Sequence, residues 1–165
     1  MRIPGRSDHH VIVGRNGSGK TQSAAYFLSR RDFNLRPWYI INSKGDELLN
    51  RLPGAVDCKL GDFPKKPGLY MYRPIAEVDD EAVDALLWQI YNKKNAGLYA
   101  DEGYSLPNPS SGLNALLTQG RSRHISCMIL SQRPVWLTRF VWSEANFIQC
   151  FDLSTDDDIK TMQKT

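Results

Sequence analysis

The string G-R-N-G-S-G-K-T, residues 14–21, constrains this chain more than any other feature. It meets the pattern G-x-x-x-x-G-K-[S/T] in full. A β-rich run, residues 10–13, precedes it, and a helical pattern, 19–30, follows it. That is the context in which such a loop wraps a nucleotide phosphate. Gly14, Gly17 and Gly19 let the backbone pass close to phosphate oxygens. The N–H groups of roughly Asn16, Gly17, Ser18, Gly19, Lys20 and Thr21 are expected to face inward at the positive end of a helix, and Arg15 and Gln22 are counted with them as nucleotide-binding. Lys20 is expected to reach the β- and γ-phosphates, and the Thr21 hydroxyl to bind Mg²⁺.

The rest of the chain supports one α/β domain. At 165 residues there is room for one core. Apolar runs expected to be strands (37–42, 68–72, 97–100, 125–130, 146–151) alternate with helical patterns (46–52, 79–94, 111–120 and one from 155). In the longest, Val83, Leu86, Leu87, Ile90 and Tyr91 fall at helix spacing. The alternation predicts a mostly parallel sheet flanked by helices, with ligands at the C-terminal strand ends. No run approaches the ~18 apolar residues of a membrane span. The first residues lack a signal-peptide core. A cytoplasmic protein, or one carried to a membrane or particle by a partner, is expected. The three cysteines, Cys58, Cys127 and Cys150, make no C-x-x-C pair, and Cys127 and Cys150 sit in apolar runs that predict buried thiols. His9, His10 and His124 are too scattered to suggest a metal site.

Three further strings each follow or precede an expected strand. In G-L-Y-A-D-E, residues 97–102, an apolar strand delivers two acids. Asp101 is placed to hold Mg²⁺, and Glu102 to take a proton from the attacking water, which argues for hydrolysis. Gln132, at the tip of the strand 125–130, is placed to sense the γ-phosphate. Arg121 and Arg123, in Q-G-R-S-R-H, precede that same strand. A six-residue strand spans ~20 Å, so these arginines cannot easily reach their own nucleotide. A neighbouring subunit's nucleotide is the better target, with Arg121 slightly preferred. Charge adds a weak hint: residues 1–36 hold seven Lys or Arg against Asp8 and Asp32, and such basic stretches can face nucleic-acid phosphates. The segment 136–142, with Trp136, Leu137, Phe140, Val141 and Trp142, is read as core or subunit-interface packing.

Taken in order, these strings resemble the FtsK–HerA superfamily of ATP-driven DNA pumps. I-I-N-S-K-G-D-E-L, residues 40–48, is similar to a second-strand segment of that group, although Ser43 stands where an acid is usual. Q-G-R-S-R-H-I-S-C-M-I-L-S-Q-R-P, residues 119–134, is the most distinctive. Without membrane anchor or accessory domain, the chain resembles the small packaging ATPases of internal-membrane icosahedral viruses. The resemblance implies a RecA-like (ASCE) fold, ATP and Mg²⁺, a homo-oligomeric ring (a hexamer) around double-stranded DNA, and docking at a capsid vertex or membrane protein. It places the protein in host cytoplasm or virion. Residues 1–165 are read as a single ATPase domain that ends soon after its last strand, which leaves room for a missing C-terminal region. DNA-contacting loops are expected at 104–111 or 136–142. The rival readings are a filament- or secretion-assembly ATPase, a conjugation-type DNA-transfer ATPase, a small-molecule or nucleotide kinase, and a nucleotide-gated binding module with negligible turnover.

Overall fold

A computed structural model describes residues 3–165. Seven strands, all parallel, form one sheet in the order β3-β4-β2-β5-β6-β1-β7. They are β1 His10–Val13, β2 Pro37–Ile41, β3 Ala55–Asp57, β4 Gly68–Tyr72, β5 Gly97–Ala100, β6 Ser126–Ser131 and β7 Phe147–Cys150. The helices are α1 Lys20–Ser29, α2 Glu47–Asn50, α3 Asp80–Lys93, α4 Ser111–Gln119, α5 Arg139–Ser143 and α6 Asp156–Gln163.

The central strands read as continuous apolar runs because both of their faces are covered. On one face, Val11, Tyr39, Leu98 and Ile129 pack against Leu86, Leu87 and Ile90 of α3 and Leu113 and Leu116 of α4. On the other, Ile12, Ile40, Tyr99 and Leu130 pack against Ala24 and Leu28 of α1 and Leu49 of α2. The fold is therefore the expected α/β class with helices on both faces. The period-2 alternation that assigns each strand residue to a face is set by the pleat.

Three local details differ from expectation. β3, three residues long at the sheet edge, had no signal in the sequence beyond a turn-like Pro53-Gly54. Cys150 is exposed, whereas Cys127 is buried. β7 is an edge strand whose residues alternate between half-buried and exposed, and Cys150 falls on the open side. The segment 136–142 divides: Leu137 and Val141 are buried in the core, while Trp136 and Phe140 stay exposed. Among the described residues, no helix is long and apolar enough to cross a membrane.

Candidate nucleotide-binding site

Parallel strands send all their C-terminal ends to one edge. Four adjacent strands, β2-β5-β6-β1, deliver Lys44, Asp101–Glu102, Gln132 and the glycine loop side by side there. Asn16, Lys20, Thr21, Lys44, Asp46, Asp101, Glu102 and Gln132 line a single cleft of about 120 Å³. That volume is below the several hundred Å³ of a whole-ligand pocket. It suits the terminal-phosphate end of a nucleotide, with the base on the open surface.

The loop between β1 and α1 is held by its backbone. Gly14 N–H donates to Ser131 O (3.2 Å) and Arg15 N–H to Asp152 O (2.6 Å), tying the loop to both neighbouring strands. A Cβ on Gly14 would lie 2.6 Å from Phe151 Cβ and 2.8 Å from Ser18 Oγ, so only glycine fits. Gly19, the residue before α1, has φ 94°, a left-handed conformation that favours glycine. α1 begins with Lys20 and has no acid in its first turn. Its positive end therefore carries no built-in anion of its own. Lys20 is buried, and its Nζ donates to Arg15 O across the loop at 3.2 Å. Burial lowers its pKa, against the opposing pull of Glu102 and Asp101.

The acids are inside. Asp101 and Glu102 are 6% and 3% exposed. Burial, then the nearby charges of Asp46 and Glu102, push the Asp101 carboxyl up to about 6. Tyr99 donates to Asp101 Oδ1 at 3.4 Å. Glu102 is held at both oxygens: Lys44 Nζ donates to Oε1 at 2.6 Å, and Gln132 N–H to Oε2 at 3.4 Å. The Gln132 side chain reaches the loop through Asn16 Oδ1 (3.3 Å), so it bridges the acid pair and the phosphate loop. Burial is the largest influence on Lys44 and acts downward, but its hydrogen bond and charge interaction with Glu102 prevail, and its pKa is raised.

Asp46, Asp101 and Glu102 give an oxygen-only set in the cleft that Thr21 also lines, and at Asp101 the charges of Asp46 and Glu102 outweigh that of Lys44. Hard oxygen donors of this kind, one or two carboxylates plus substrate phosphate, suit Mg²⁺. Among the described residues no group of three or more His, Cys, Asp or Glu forms a self-sufficient metal cage. A Mg²⁺ site completed by nucleotide phosphate does not need one.

Lys44 is the member that sequence reasoning missed. The string 40–48 was singled out, but no role was given to its lysine. Its signal was position: like Glu102 and Gln132, it lies just past the end of a core strand. Arg133, next to Gln132, turns away from the cleft. It bonds the fully buried Asp158 of α6 (2.5 Å) and Thr155. Arg121 and Arg123 lie on a 3-10 turn before β6, at the other end of the sheet from the cleft. Arg123 stacks 3.9 Å over the ring of Tyr91.

Sheet, loop and paired acids together define the class: this is a P-loop ATPase fold. The chain belongs to the family of DNA packaging ATPase P9 of Enterobacteria phage PRD1. The two are 47% identical over 163 residues, which cover 99% of this chain and 72% of P9. No protein-family profile matches the chain. Among solved structures it is similar to the genome packaging NTPase B204 of Sulfolobus turreted icosahedral virus 2 in complex with AMPPCP. That match has a TM-score of 0.76 at 17% identity and covers 97% of this chain and 82% of B204. It is also similar to the cytoplasmic domain of EssC, with a TM-score of 0.69 at 14% identity over 94% of this chain and 33% of that one. At these identities both likenesses speak to the fold.

Proposed function

We propose that this chain is an ATP-hydrolysing motor that moves double-stranded DNA and packages a viral genome into a preformed capsid. One observation carries the chemistry: Lys20, Thr21, Asp101, Glu102 and Gln132, far apart in sequence, line one cleft. Membership of the P9 family supports the cargo. Residues 1–165, with one sheet and a core on each face, are read as a single ATPase domain.

In this reading, residues 14–22 cradle the phosphates, and Lys20 holds the β- and γ-oxygens. Thr21 Oγ1 and the Asp101 carboxylate would hold Mg²⁺, which would neutralise charge on the phosphates. Glu102 takes a proton from water as its oxygen bonds to the γ-phosphorus and the bond to the β–γ bridging oxygen breaks. Lys44 shares its hydrogen bond between Glu102 and the γ-phosphate. Gln132, linked to Asn16 and Glu102, reports whether that phosphate is present.

The ring, a hexamer by resemblance, is part of the same proposal, as is docking at a capsid vertex or membrane protein. An arginine from a neighbouring subunit completes the site. Arg123 is engaged with Tyr91, so the exposed Arg121 is the better candidate. Such a finger is worth ~10³–10⁵ in rate. The test is phosphate release against protein concentration, with and without duplex DNA. Turnover per subunit that rises with concentration and with DNA is the expected result. A DNA-indifferent, concentration-independent ATPase would overturn the motor, and stimulation by a coat or secretion protein alone would move the cargo to protein.

A further inference from the structure

The loop 104–111, one of the two segments expected from sequence to contact DNA, has its middle beside acids. Residues 103–111 carry no charge. Their Pro107, Asn108 and Pro109 share a surface hollow with Asp80, Glu81 and Asp84 of α3. A phosphodiester brought there would meet three carboxylates.

The opposite edge of the sheet has the reverse character. Arg6, Arg30, Arg31 and Arg36 line one pocket of about 170 Å³ with Leu35 and a single acid, Asp32. The sequence scatters these residues over the segment before β1 and the connection from α1 to β2. They meet because both run into the N-terminal strand ends. Arg36 is 6% exposed and has no carboxylate partner. It donates to the carbonyls of Arg6 (2.6 Å), Ala96 (3.3 Å) and His124 (3.0 Å) and to Ser126 Oγ (3.1 Å). Burial, then the like charges of Arg31 and Arg6, lower its pKa to about 10. Arg31 donates to the carbonyls of Pro4 and Gly5, and its buried Nε has no partner. Asp8 is the acid that acts on Arg31. At the rim, Arg6 is held on Asn95 Oδ1 and Arg30 on the Tyr26 hydroxyl, and both are exposed. Like charges gathered so closely are relieved by an anion.

We propose that this arginine pocket is the surface that grips the phosphate backbone of duplex DNA. The proposal rests on the motor reading above and deepens it. Planar guanidinium donors suit phosphate oxygens, and a basic cluster on one face is the footprint of backbone binding without sequence readout. The pocket adjoins the turn that carries Arg121: Arg36 donates to His124 O, and Arg6 is held on Asn95, whose N–H donates to Arg123 O.

The experiment measures binding of a fluorescent non-specific duplex to the full chain across a salt series. Each lost phosphate contact lowers the slope of log affinity against log salt by about 0.9, which is about an eightfold loss at 0.1 M salt. Arg6→Gln with Arg30→Gln should therefore lower the slope by about 2 and the affinity some fiftyfold. DNA-independent ATPase should be unchanged, since neither residue is near the cleft. Asp32→Asn keeps the side-chain oxygen that accepts Asn34 N–H and removes the acid. It should tighten DNA several-fold, a gain that misfolding cannot mimic.

Wild-type duplex affinity with an unchanged slope in the arginine variant overturns the pocket and leaves the motor standing. So does a loss of DNA binding in Tyr104→Ala alone. Wild-type protein that neither binds duplex nor is stimulated by it overturns the motor itself. If the arginine variant loses binding to phosphatidylglycerol vesicles but keeps duplex DNA, the pocket belongs to a membrane and the DNA assignment fails.

Discussion

The two edges of the sheet are built from the same parallel strands but obey different rules. At the C-terminal edge, polar groups delivered by the strand ends meet one another across the cleft: Lys44 on Glu102, Gln132 between loop and acid, Lys20 on a single carbonyl. At the N-terminal edge the charge is locked. Arg36 spends its donors on three carbonyls and a hydroxyl from three separate segments, and it lies beside Trp38, as does Arg31. Trp38 in turn occupies the space that a side chain on Gly97 would need. One edge is arranged for chemistry; at the other, the buried Arg36 closes the fold while Arg6 and Arg30 stay exposed at the rim. Substitutions in the cleft should therefore stop turnover, and those at Arg36 should unfold.

The largest effect is expected at the chemical edge. Glu102→Gln keeps shape and loses the proton acceptor, so hydrolysis should fall ~10²–10⁴-fold, with ATP still bound at equilibrium. Lys20→Ala should stop turnover as well, but through loss of nucleotide affinity. Single-turnover phosphate release beside a nucleotide-binding titration separates the two. A Glu102→Gln protein with more than about a tenth of wild-type turnover would remove that residue from the role of base. The opposite edge should respond in stability. Arg36→Met leaves the Arg6 and His124 carbonyls without that donor, while the Ala96 carbonyl keeps Ser126 N–H, at a cost of about 3 kcal/mol in unfolding free energy. Denaturant midpoints check this, and turnover per folded molecule should stay at the wild-type level.

This contrast also explains what the sequence made legible. The glycine loop, the acids 101–102 and Gln132 each sit in or directly after a strand, so a short string carries both the residue and its position. Lys44 obeys the same rule, three residues past the end of β2. The N-terminal edge is different in kind. Of the residues that meet at Arg36, 124 and 126 belong to the string 119–134 but 6 and 96 do not, and only the strand order, with β6 inserted between β5 and β1, brings them together. The pairing of Arg133 with Asp158 was hidden for the same reason, since an acid in a run of three aspartates reads as a solvated helix start. Cys150 misled because an apolar neighbourhood in sequence does not distinguish an edge strand from a central one.

A pH effect sharpens the comparison at the closed edge. His10, at the start of β1, is buried against Phe27 at 4.9 Å between ring centres. Burial, then the charge of Arg31, lower its pKa from 6.5 to about 4. The unfolded chain thus binds a proton from about pH 6.5 downward, and the folded chain only below about 4. Stability from this group is full at neutral pH, falls as pH drops through that window, and levels off below it. The loss amounts to about 3 kcal/mol. Other groups titrate too, so the readout is a difference: His10→Leu should flatten the pH dependence of the unfolding midpoint between pH 6.5 and 4. An equally steep dependence in both proteins would refute it.

The smallest effect tests whether the chemical edge works through exchange of partners. Lys44 is about one-third exposed, but its partner Glu102 is buried, so removing the lysine leaves that carboxylate with Gln132 N–H alone. Its value lies in where the ammonium goes when a γ-phosphate competes for it. Lys44→Met removes that charge and keeps the stem. It should weaken ATP binding about tenfold, or about 1.4 kcal/mol, while ADP binding changes little, because only the triphosphate reaches the acids. The catalytic constant should move less than the Michaelis constant, since Gln132 N–H still orients Glu102. Lys44→Arg should restore most of the ATP preference. Equal weakening of ATP and ADP would make Lys44 a general source of positive potential. A fall in the catalytic constant alone would instead make it a support for the Glu102 side chain, and the exchange of partners would be lost with it.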